Sequence, residues 1–571
     1  MIVKMTRYDF ILPSAVKDDF LDKLSALGVV DITRSFKPVD EHSRELLSEI
    51  GKIKSDIRVI ESGTDERYAA LDKEGDKLRK ELEAASHWGE FDPERLQSLG
   101  TPVHFYCLPE KKFGAIPQDD YPLQVIDRSH GKVWFVVLGD GEFPASPLPA
   151  PQRPASVIEK AIEENEAALT AYEKTLEGKR SLIPSLQEKA GRLESELNMY
   201  LASVAGEAAA DNALTVFEGF APSSDKERLE KAFDELDCVW LSAEAILEDN
   251  PPIKLKNNWF VRLFEPLTDM YGRPDYNEFD PTPYISIFFL LFFAMCMGDA
   301  GYGLLLFIAG LLLTKVEKFK SLAPLVATLG AGTFVVGIVM HTFFGVDIAA
   351  LSWIPSWMKS IMITGTIAGF EAQMVLSLVI GVVHLCLAMV VKTVYATRNR
   401  GFLGSLGVWG WTLLIVGGVI VGTLAIFSLL PSKVVKWIII VLGAVSALGI
   451  FLFNDIKRNP LKNIGSGLWD AYNTVTGLLG DVLSYLRLYA LGLAGGMLGK
   501  AFNDIAAMTI GDGSFGFGWL AFALILVIGH ALNLAMCCLG AFVHPLRLNF
   551  LEFFKNSGYD GKGRAYQPIK K

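Results

Sequence analysis

The second half of this chain is a series of long apolar segments, and few folds can accommodate them. Eight segments can be drawn, at roughly 283–298, 300–314, 322–346, 372–394, 404–430, 434–454, 467–508 and 514–553. Only helices and closed barrels satisfy the backbone inside a bilayer, and a crossing helix needs about 20 apolar residues. The sequence therefore predicts an α-helical polytopic membrane domain with eight transmembrane helices. The first two are short enough to form a tight, broken pair, and the last two are so long that they must tilt, kink or project.

Charge separates this half from the rest of the chain. Residues 1–282 contain 34 Lys and Arg against 53 Asp and Glu, a net charge of −19, whereas residues 283–555 contain 16 against 10, a net charge of +6. This division predicts a soluble domain over 1–282, a membrane domain over 283–555 and a tail over 556–571. Basic clusters lie on one side of the segments, at Lys315, Lys392 to Arg400, 455–462 and in the tail, and the connections at 347–370, 431–433 and 511–514 carry few charges. The positive-inside rule then predicts that both termini are cytoplasmic.

Two heptad-patterned stretches dominate the soluble half. After Ile158, apolar residues or Ala recur in alternating steps of four and three as far as Tyr200, interrupted only by Asn165 and Lys179. This spacing predicts a coiled-coil seam, and a matching stretch that begins at Leu46 could pair with it in an antiparallel arrangement. Pro184 lies within the second stretch and predicts a kink in the arm.

The other parts of the soluble half mix short strands with helices. Between the two heptad stretches, the runs at 103–108 and 133–138 are strand-like, and PERLQSL from Pro93 is helix-like. The pattern predicts a cytoplasmic dumbbell with a coiled-coil arm and two small α/β lobes. Its parts are the arm at about 41–86 and 155–205, a distal lobe at about 88–154, a proximal lobe at about 1–38 and 212–249, and a junction at 250–282. A plain helical spacer without a partner is the alternative, but a spacer needs no terminal lobe.

Arg487 is the residue that most strongly indicates function. It lies near the middle of a long apolar segment, within LSYLRLYALGL. A charge at that depth costs about 3 kcal/mol on insertion scales, so it should face protein or water and have a partner. Arginine does not deprotonate in proteins, which makes it a fixed positive charge and not a proton carrier. An internal pair with Asp481 is the structural alternative, but six residues place the two side chains about 120° apart around one helix.

Other ionisable residues in the apolar half have competing interpretations. Arg547 and His544, in AFVHPLRLNFLEFF, lie near the cytoplasmic end of the last segment, where an arginine could simply snorkel to the interface. Asp299 lies beside glycines at a tight joint, which favours a turn or a helix cap over an ion site. Hydrogen-bonded core histidines are favoured over proton relays for three isolated residues, His341, His384 and His530.

Small residues surround Arg487. The pairs Gly492/Gly496 and Gly495/Gly499 have the small-xxx-small spacing that lets a second backbone approach closely. We expect a helix-contact surface beside the fixed cation, although packing within the chain would explain the glycines alone.

Several of these strings together resemble one known family. LSYLRLYALGLAGG, FFAMCMGDAGYGLLLF, VIGVVHL and HPLRLNFLEFF, with the junction PPIKLKNNWFVRLFEPLTDMYGRPDYNEFDPTPY, are similar to subunit I (the a subunit) of V-type and archaeal A-type rotary ATPases, in its shorter prokaryotic form. The resemblance implies a stator. Its partners would be a rotating membrane ring (subunit c/K) with a mid-membrane carboxylate, peripheral stalks (E/G) on the cytoplasmic lobes, and the central-stalk cap of the ring (C/d).

The resemblance also assigns roles to individual residues. By its place in the motif, Arg487 matches the essential arginine that faces the ring carboxylate, and Arg547 matches the second arginine of the ion pathway, with His544 one turn before it. Asp481 and Ser484 are expected in the cytoplasmic half of the pathway, because Asp481 is about 9 Å from Arg487 along an ideal helix. A local hydrogen bond is the alternative for Asp481. Cys537 stands where eukaryotic members have a glutamate, so the outer half of the pathway stays unassigned.

Two further function classes compete with the stator. A self-contained transporter or channel with a regulatory coiled coil should have inverted repeats, and the first four segments do not resemble the last four. A purely structural anchor leaves Arg487 unexplained. GxxxxGK[ST] is absent from the sequence, so we expect a non-catalytic subunit without a nucleotide site or other cofactor.

Overall fold

The computed structural model describes residues 1–35, 37–98, 100–114, 116, 121–139, 143–316, 319–352, 354–367, 369–452, 460–510 and 517–570. The connection at 511–514 and most of the basic cluster at 455–462 lie outside the described residues. The chain divides into two compact units. The first comprises residues 17–26, 33–207 and 569–571, and the second comprises residues 1–16, 27–32 and 208–568.

The helices and strands of the first 249 residues alternate. In chain order they are β1 (Met5–Pro13), α1 (Lys17–Leu27), β2 (Asp31–Ile32), α2 (Glu41–Ser62), α3 (Glu66–Ala85), α4 (Pro93–Ser98), β3 (Val103–Pro109), α5 (Glu110–Phe113), β4 (Leu123–Ser129), β5 (Lys132–Leu138), α6 (Ala155–Lys179), α7 (Ile183–Val204), β6 (Glu207–Ala209), β7 (Leu214–Pro222), α8 (Lys226–Phe233) and β8 (Val239–Glu244).

The remaining elements are mostly helical. They are α9 (Trp259–Arg262), α10 (Glu265–Tyr271), α11 (Thr282–Met297), α12 (Ala300–Leu313), α13 (Ala323–Val339), β9 (Thr342–Phe343), β10 (Val346–Asp347), α14 (Ser356–Lys359), β11 (Thr366–Ile367), β12 (Phe370–Glu371), α15 (Ala372–Gly404), α16 (Leu406–Ile426), α17 (Ser432–Phe451), α18 (Pro460–Ser484), α19 (Leu486–Met508), α20 (Phe517–Arg547), a π-helical stretch (Leu548–Phe553) and α21 (Phe554–Ser557).

In the first unit, four long helices form two antiparallel pairs. Helix α2 packs on α7 through a cluster that includes Ile50 and Leu197, and α3 packs on α6 through Leu78 and Ile158. Apolar residues at heptad spacing bury one stripe of each helix, which is why the pairs form. The helical path is broken at Gly63, which has a left-handed φ of 68°, and by a 3-10 turn over Arg180–Leu182 before Pro184.

Helices α2 and α3 are each capped by an aspartate that has a second role. The Asp40 carboxylate caps α2 by accepting from the Ser43 amide at 2.8 Å, and it also accepts from the Tyr200 hydroxyl of α7. Asp65 caps α3 through the Tyr68 amide and accepts from the Tyr172 hydroxyl of α6 at 2.5 Å. The hydrogen bonds from Tyr200 and, to a smaller extent, Ser43 lower the pKa of Asp40 to about 2. Each cap therefore also joins the two helices of a pair.

A three-stranded antiparallel sheet lies between the two heptad stretches in sequence. Its order is β3-β5-β4, and its core contains Tyr106, Val133 and Phe135. The strands predicted at 103–108 and 133–138 and the helix predicted at Pro93 are confirmed. The sequence reasoning missed β4, whose alternating burial covers only one face.

The second unit contains a sheet of order β2-β7-β1-β8, with β6 paired to β7. Tyr8 and Phe10 of β1 are fully buried against Phe233 of α8. The segment predicted as a tail packs in this same unit, because Ile253 bridges Ala565 and the Tyr559 hydroxyl donates to the Gly272 carbonyl at 2.7 Å. Burial raises the pKa of Tyr559.

Among the described residues of the second unit, five helices are long and apolar enough to cross a membrane. They span Ala372–Gly404, Leu406–Ile426, Ser432–Phe451, Asn463–Met508 and Gly518–Ser557. Three shorter apolar helices, α11, α12 and α13, accompany them. Helix α11 lies at the centre, where Phe289 and Phe292 share a core with Tyr485, Leu488 and Phe553. All eight predicted segments are therefore helical, but three of the helices are shorter than the usual span.

Candidate functional site

Arg487 is the second residue of α19, within an apolar helical run of 46 residues, Asn463–Met508, that is interrupted by a turn at Tyr485. Its Nη1 atom is buried without a hydrogen-bond partner, and none of the ion pairs in the described part of the chain includes it. The same helix face is uncovered, since Leu483 and Ile505 are 61% and 49% exposed and Ala490 and Ala494 are also exposed. Arg487 therefore carries an unneutralised charge on an open, apolar face.

Asp481 does not pair with Arg487. Its carboxylate lies 3.4 Å from Lys555 Nζ and accepts a hydrogen bond of 2.8 Å from Asn556 Nδ2. The internal pair considered from the sequence is therefore wrong, for the reason that their angular separation suggested. Asp481, Lys555 and Asn556 line a cavity of about 330 Å³, together with Lys392 and Thr412.

Ser484 and Glu552 continue from this cavity toward Arg487. The Ser484 hydroxyl donates to the Gly480 carbonyl at 3.1 Å and lies beside the Glu552 carboxyl group. Glu552 is only 3% exposed, and its Oε2 atom is buried without a partner. Sequence reasoning missed Glu552, although one signal was available: it is the sole carboxylate between residues 514 and 553.

Arg547 and His544 lie on the last long helix. Arg547 is exposed, and it belongs to an open apolar stripe with Leu539 and Val543. The Nδ1 atom of His544 is buried without a partner, and His544 is close enough to both arginines to feel their charges. The backbone turns π-helical immediately after Arg547. Because a π-helix has more than four residues per turn, Arg547 and Glu552 project near each other.

The three isolated histidines all have hydrogen-bond partners, but only His384 is a buried core histidine as predicted. His384 Nδ1 lies 2.9 Å from the Tyr485 hydroxyl, and His341 Nδ1 lies 3.0 Å from Asp347. His530 lies 2.8 Å from the Tyr302 hydroxyl, which also accepts from Asn533. His384 is fully buried, whereas the side chain of His341 is partly exposed.

Asp299 is a helix cap, as the sequence favoured. Its carboxylate is 1% exposed and caps α12 through the amides of Gly301 and Tyr302. It also accepts from the amides of Phe344 and Gly345, each at 2.8 Å. Four buried N–H groups thus satisfy this charge within the chain.

The four glycines near Arg487 pack against segments of this chain. A Cβ added at Gly492 would lie 2.6 Å from the Met295 carbonyl oxygen, and one at Gly495 would lie 2.7 Å from Cys537 Sγ. Gly499 lies against Gly345, and Gly496 lies in ordinary contact with Thr342. The close approach expected from the spacing is therefore intrachain packing, which positions α19 against α11 and α20.

A second cavity lies toward the other end of α19. It measures about 400 Å³, and its lining includes Asp347, Glu371, Gln373, Gly492 and Lys500. Asp481 precedes Arg487 and Gly492 follows it, so the two cavities lie on opposite sides of the arginine along one helix. Each cavity is lined by charged side chains, Asp481 and Lys555 in the first and Asp347, Glu371 and Lys500 in the second.

The sequence matches known proteins over most of its length. The V-type ATPase 116kDa subunit family matches residues 152–339. The A-type ATP synthase subunit I of Methanocaldococcus jannaschii is 31% identical over 458 residues, which cover 72% of this chain and 64% of the relative. That of Pyrococcus abyssi is 33% identical over 56% of this chain and 48% of the relative. The V-type ATP synthase subunit I of Borreliella burgdorferi is 24% identical over 100% of both chains.

The chain spans about half to two thirds of the length of the two archaeal relatives. Arg487 is partly exposed and Arg547 is exposed, and both lie on long apolar helices. The chain belongs to the family of subunit I of V-type and A-type ATP synthases.

Proposed function

We propose that this chain is the stator of a V/A-type rotary ATPase or ATP synthase, and that it forms the path by which H⁺ or Na⁺ crosses the membrane. The observation that carries the proposal is the guanidinium of Arg487, which lies midway along an apolar helix without an ion pair in the described chain. A fixed charge in that position needs a counter-charge, and the open face beside it leaves room for one from another subunit.

The partner that fits this face is a rotating ring of apolar helices (subunit c/K), each with a carboxylate at mid-membrane. Such a carboxylate must be neutral while it faces lipid, because an ionised one costs several kcal/mol. Opposite Arg487 its ionised form is stabilised, so the bound ion is released. The two cavities on either side of Arg487 then supply and remove ions at different points of the rotation.

The two halves of the path use different groups of this chain. Asp481 and Ser484 lie on the cytoplasmic side, where the cavity of about 330 Å³ opens. Arg547 and His544 lie on the neighbouring helix, and His544 is close to both Arg487 and Arg547. Arg547 holds a second positive charge on the open face and discourages an ionised ring carboxylate from leaving toward the lipid.

The remaining architecture follows from the stator role. Eight membrane crossings place both termini in the cytoplasm, in agreement with the basic clusters. The paired helices α2/α7 and α3/α6 form a coiled-coil arm that peripheral stalk subunits (E/G) hold against rotation. The central-stalk cap (C/d) joins the ring to the soluble motor, and the chain itself binds no nucleotide.

Arg487→Ala tests the proposal. In the intact complex, this variant should assemble normally but lose ATP-driven ion pumping and ion-driven ATP synthesis, because the ring carboxylate loses the charge that ionises it. Co-purification of the ring and the soluble subunits checks assembly, and acidification or sodium uptake by inside-out vesicles measures pumping. Arg547→Ala should cause a smaller loss. Normal pumping by Arg487→Ala, or ion transport by the isolated chain, would refute the stator role.

A further inference from the structure

Glu552 is a buried carboxyl group for which neither the family motif nor the sequence reasoning supplied a role. It is 3% exposed, and its Oε2 atom has no partner among the described residues. Leaving a carboxylate in this state is expensive, since an unpaired buried charge costs several kcal/mol. A carboxyl group that binds and releases a proton avoids that cost while it is protonated, because it is then neutral.

The surroundings of Glu552 connect it to both the cavity and the arginines. Asn556 Nδ2 donates to the Asp481 carboxylate at 2.8 Å and to the main-chain carbonyl of Glu552 at 2.7 Å. On its other side, Glu552 lies beside the Ser484 hydroxyl and is close enough to Arg547 to feel its charge. Glu552 therefore lies close both to Asp481, which lines the cavity, and to Arg547.

We infer that Glu552 is the proton-transfer group of the cytoplasmic half of the pathway, and that the ion carried on this side is H⁺. The inference rests on the proposed stator function. A proton from water in the Asp481 cavity binds a Glu552 carboxylate oxygen, and the same proton then passes to the ring carboxylate near Arg487. One O–H bond forms and breaks at each transfer, and no electron moves. ATP synthesis uses the reverse order.

The charges near the cavity favour a proton over a sodium ion. The charged residues that line it are Lys392, Lys555 and Asp481, so its fixed charge is net positive. Such a lining repels a free cation, whereas a proton can pass between carboxyl groups and water without a hydrated cation in the cavity. Several titratable and charged groups surround Glu552. They are Arg547 on the same helix, Asp481 and Tyr485 on the helical run that contains Arg487, Lys392 and Lys555 in the cavity lining, and His384, which stacks on the neighbouring Phe553.

Glu552→Gln in the intact complex is the decisive variant. Glutamine keeps the shape of the side chain but cannot take up and release a proton, so ATP-driven acidification of inside-out vesicles should fall about 100-fold. Glu552→Asp keeps a carboxyl group and should retain pumping, with a shifted pH–rate profile. Glu248→Gln, the same change at an exposed residue of the soluble half, serves as the control and should match the wild type.

Each outcome decides the inference. Wild-type pumping and an unchanged pH profile for Glu552→Gln would overturn it, and so would pumping that requires sodium and continues in the presence of a protonophore. If the glutamine variant fails to assemble, the aspartate variant decides, and a wild-type pH profile there overturns the inference. An inactive Arg487→Ala beside a fully active Glu552→Gln refutes only the role of Glu552. Normal pumping by Arg487→Ala refutes the stator function itself.

Discussion

Asp299 and Arg487 are two charged residues in the apolar helical part of the molecule, and their surroundings are opposite. The Asp299 carboxylate accepts four buried N–H groups from two separate segments of the chain. The Arg487 guanidinium has an unpartnered buried nitrogen and an uncovered helix face beside it. A charge that its own chain satisfies contributes to folding, whereas one left unsatisfied indicates a partner outside the chain.

Asp299→Ala should have the largest effect on stability. It leaves four amide groups buried without an acceptor, which should lower the free energy of unfolding by about 3 kcal/mol or more. We expect little of the variant protein to accumulate in the membrane, measured by immunoblot and by recovery of the intact complex. Arg487→Ala should accumulate like the wild type. If Asp299→Ala assembled fully but did not pump, Asp299 would belong to the ion path and the contrast would fail.

Gly330→Ala tests a second region, where α12 and α13 pack closely. A Cβ at Gly330 would lie 2.7 Å from Phe307 Cα, and backbone cannot move aside as a flexible side chain can. We expect a loss of about 2–3 kcal/mol, measured as a lower melting temperature of the solubilised protein. Gly422→Ala is the matched control, because a Cβ there meets nothing within 4 Å. That control should be neutral or slightly stabilising, and an equal loss from both variants would refute the packing argument.

The contrast also explains what could be predicted from the sequence. Arg487 was recognisable because one charge in a long apolar run has few explanations. The hydrogen-bond partners of Asp299 could not be recognised from the sequence, because Phe344 and Gly345 follow it by 45 and 46 residues and contact it only in the folded chain. Glu552 was overlooked because a carboxylate near the end of an apolar segment resembles an interfacial residue.

In the soluble half, too, some features could be predicted from the sequence and others could not. Regular heptad spacing predicted the long helices and their buried stripes, because that pattern repeats over many residues. The double role of Asp40 and Asp65 was not predicted, since each depends on a tyrosine more than 100 residues away. The glycines near Arg487 were correctly recognised as points of close approach, but their spacing could not identify which backbone approaches.

Asn165→Leu should have a smaller effect, in the paired helices of the first unit. Asn165 is a buried polar residue whose Oδ1 has no hydrogen-bond partner, on a stripe that is mostly apolar. Replacing it with leucine removes an unsatisfied acceptor and should stabilise the protein by about 1–2 kcal/mol, measured by thermal unfolding. Lys179→Leu, at an exposed position of the same helix, should change stability little. Ion pumping should be unchanged in both variants, and a loss of pumping would mean that the arm and the ion path are coupled.

The smallest effect concerns the cap that joins α2 to α7. Hydrogen bonds from Tyr200 and Ser43 lower the pKa of Asp40 to about 2. An unfolded aspartate titrates near pH 4, so the stabilisation from this cap is complete above that pH and is lost as the pH falls through about 2. We expect the melting temperature of the wild type to fall more steeply between pH 4 and pH 2 than that of Asp40→Asn, which cannot ionise. Tyr200→Phe removes the strongest of these bonds and should show an intermediate slope. Equal slopes for all three proteins would mean that the pH dependence of the first unit comes from other carboxylates.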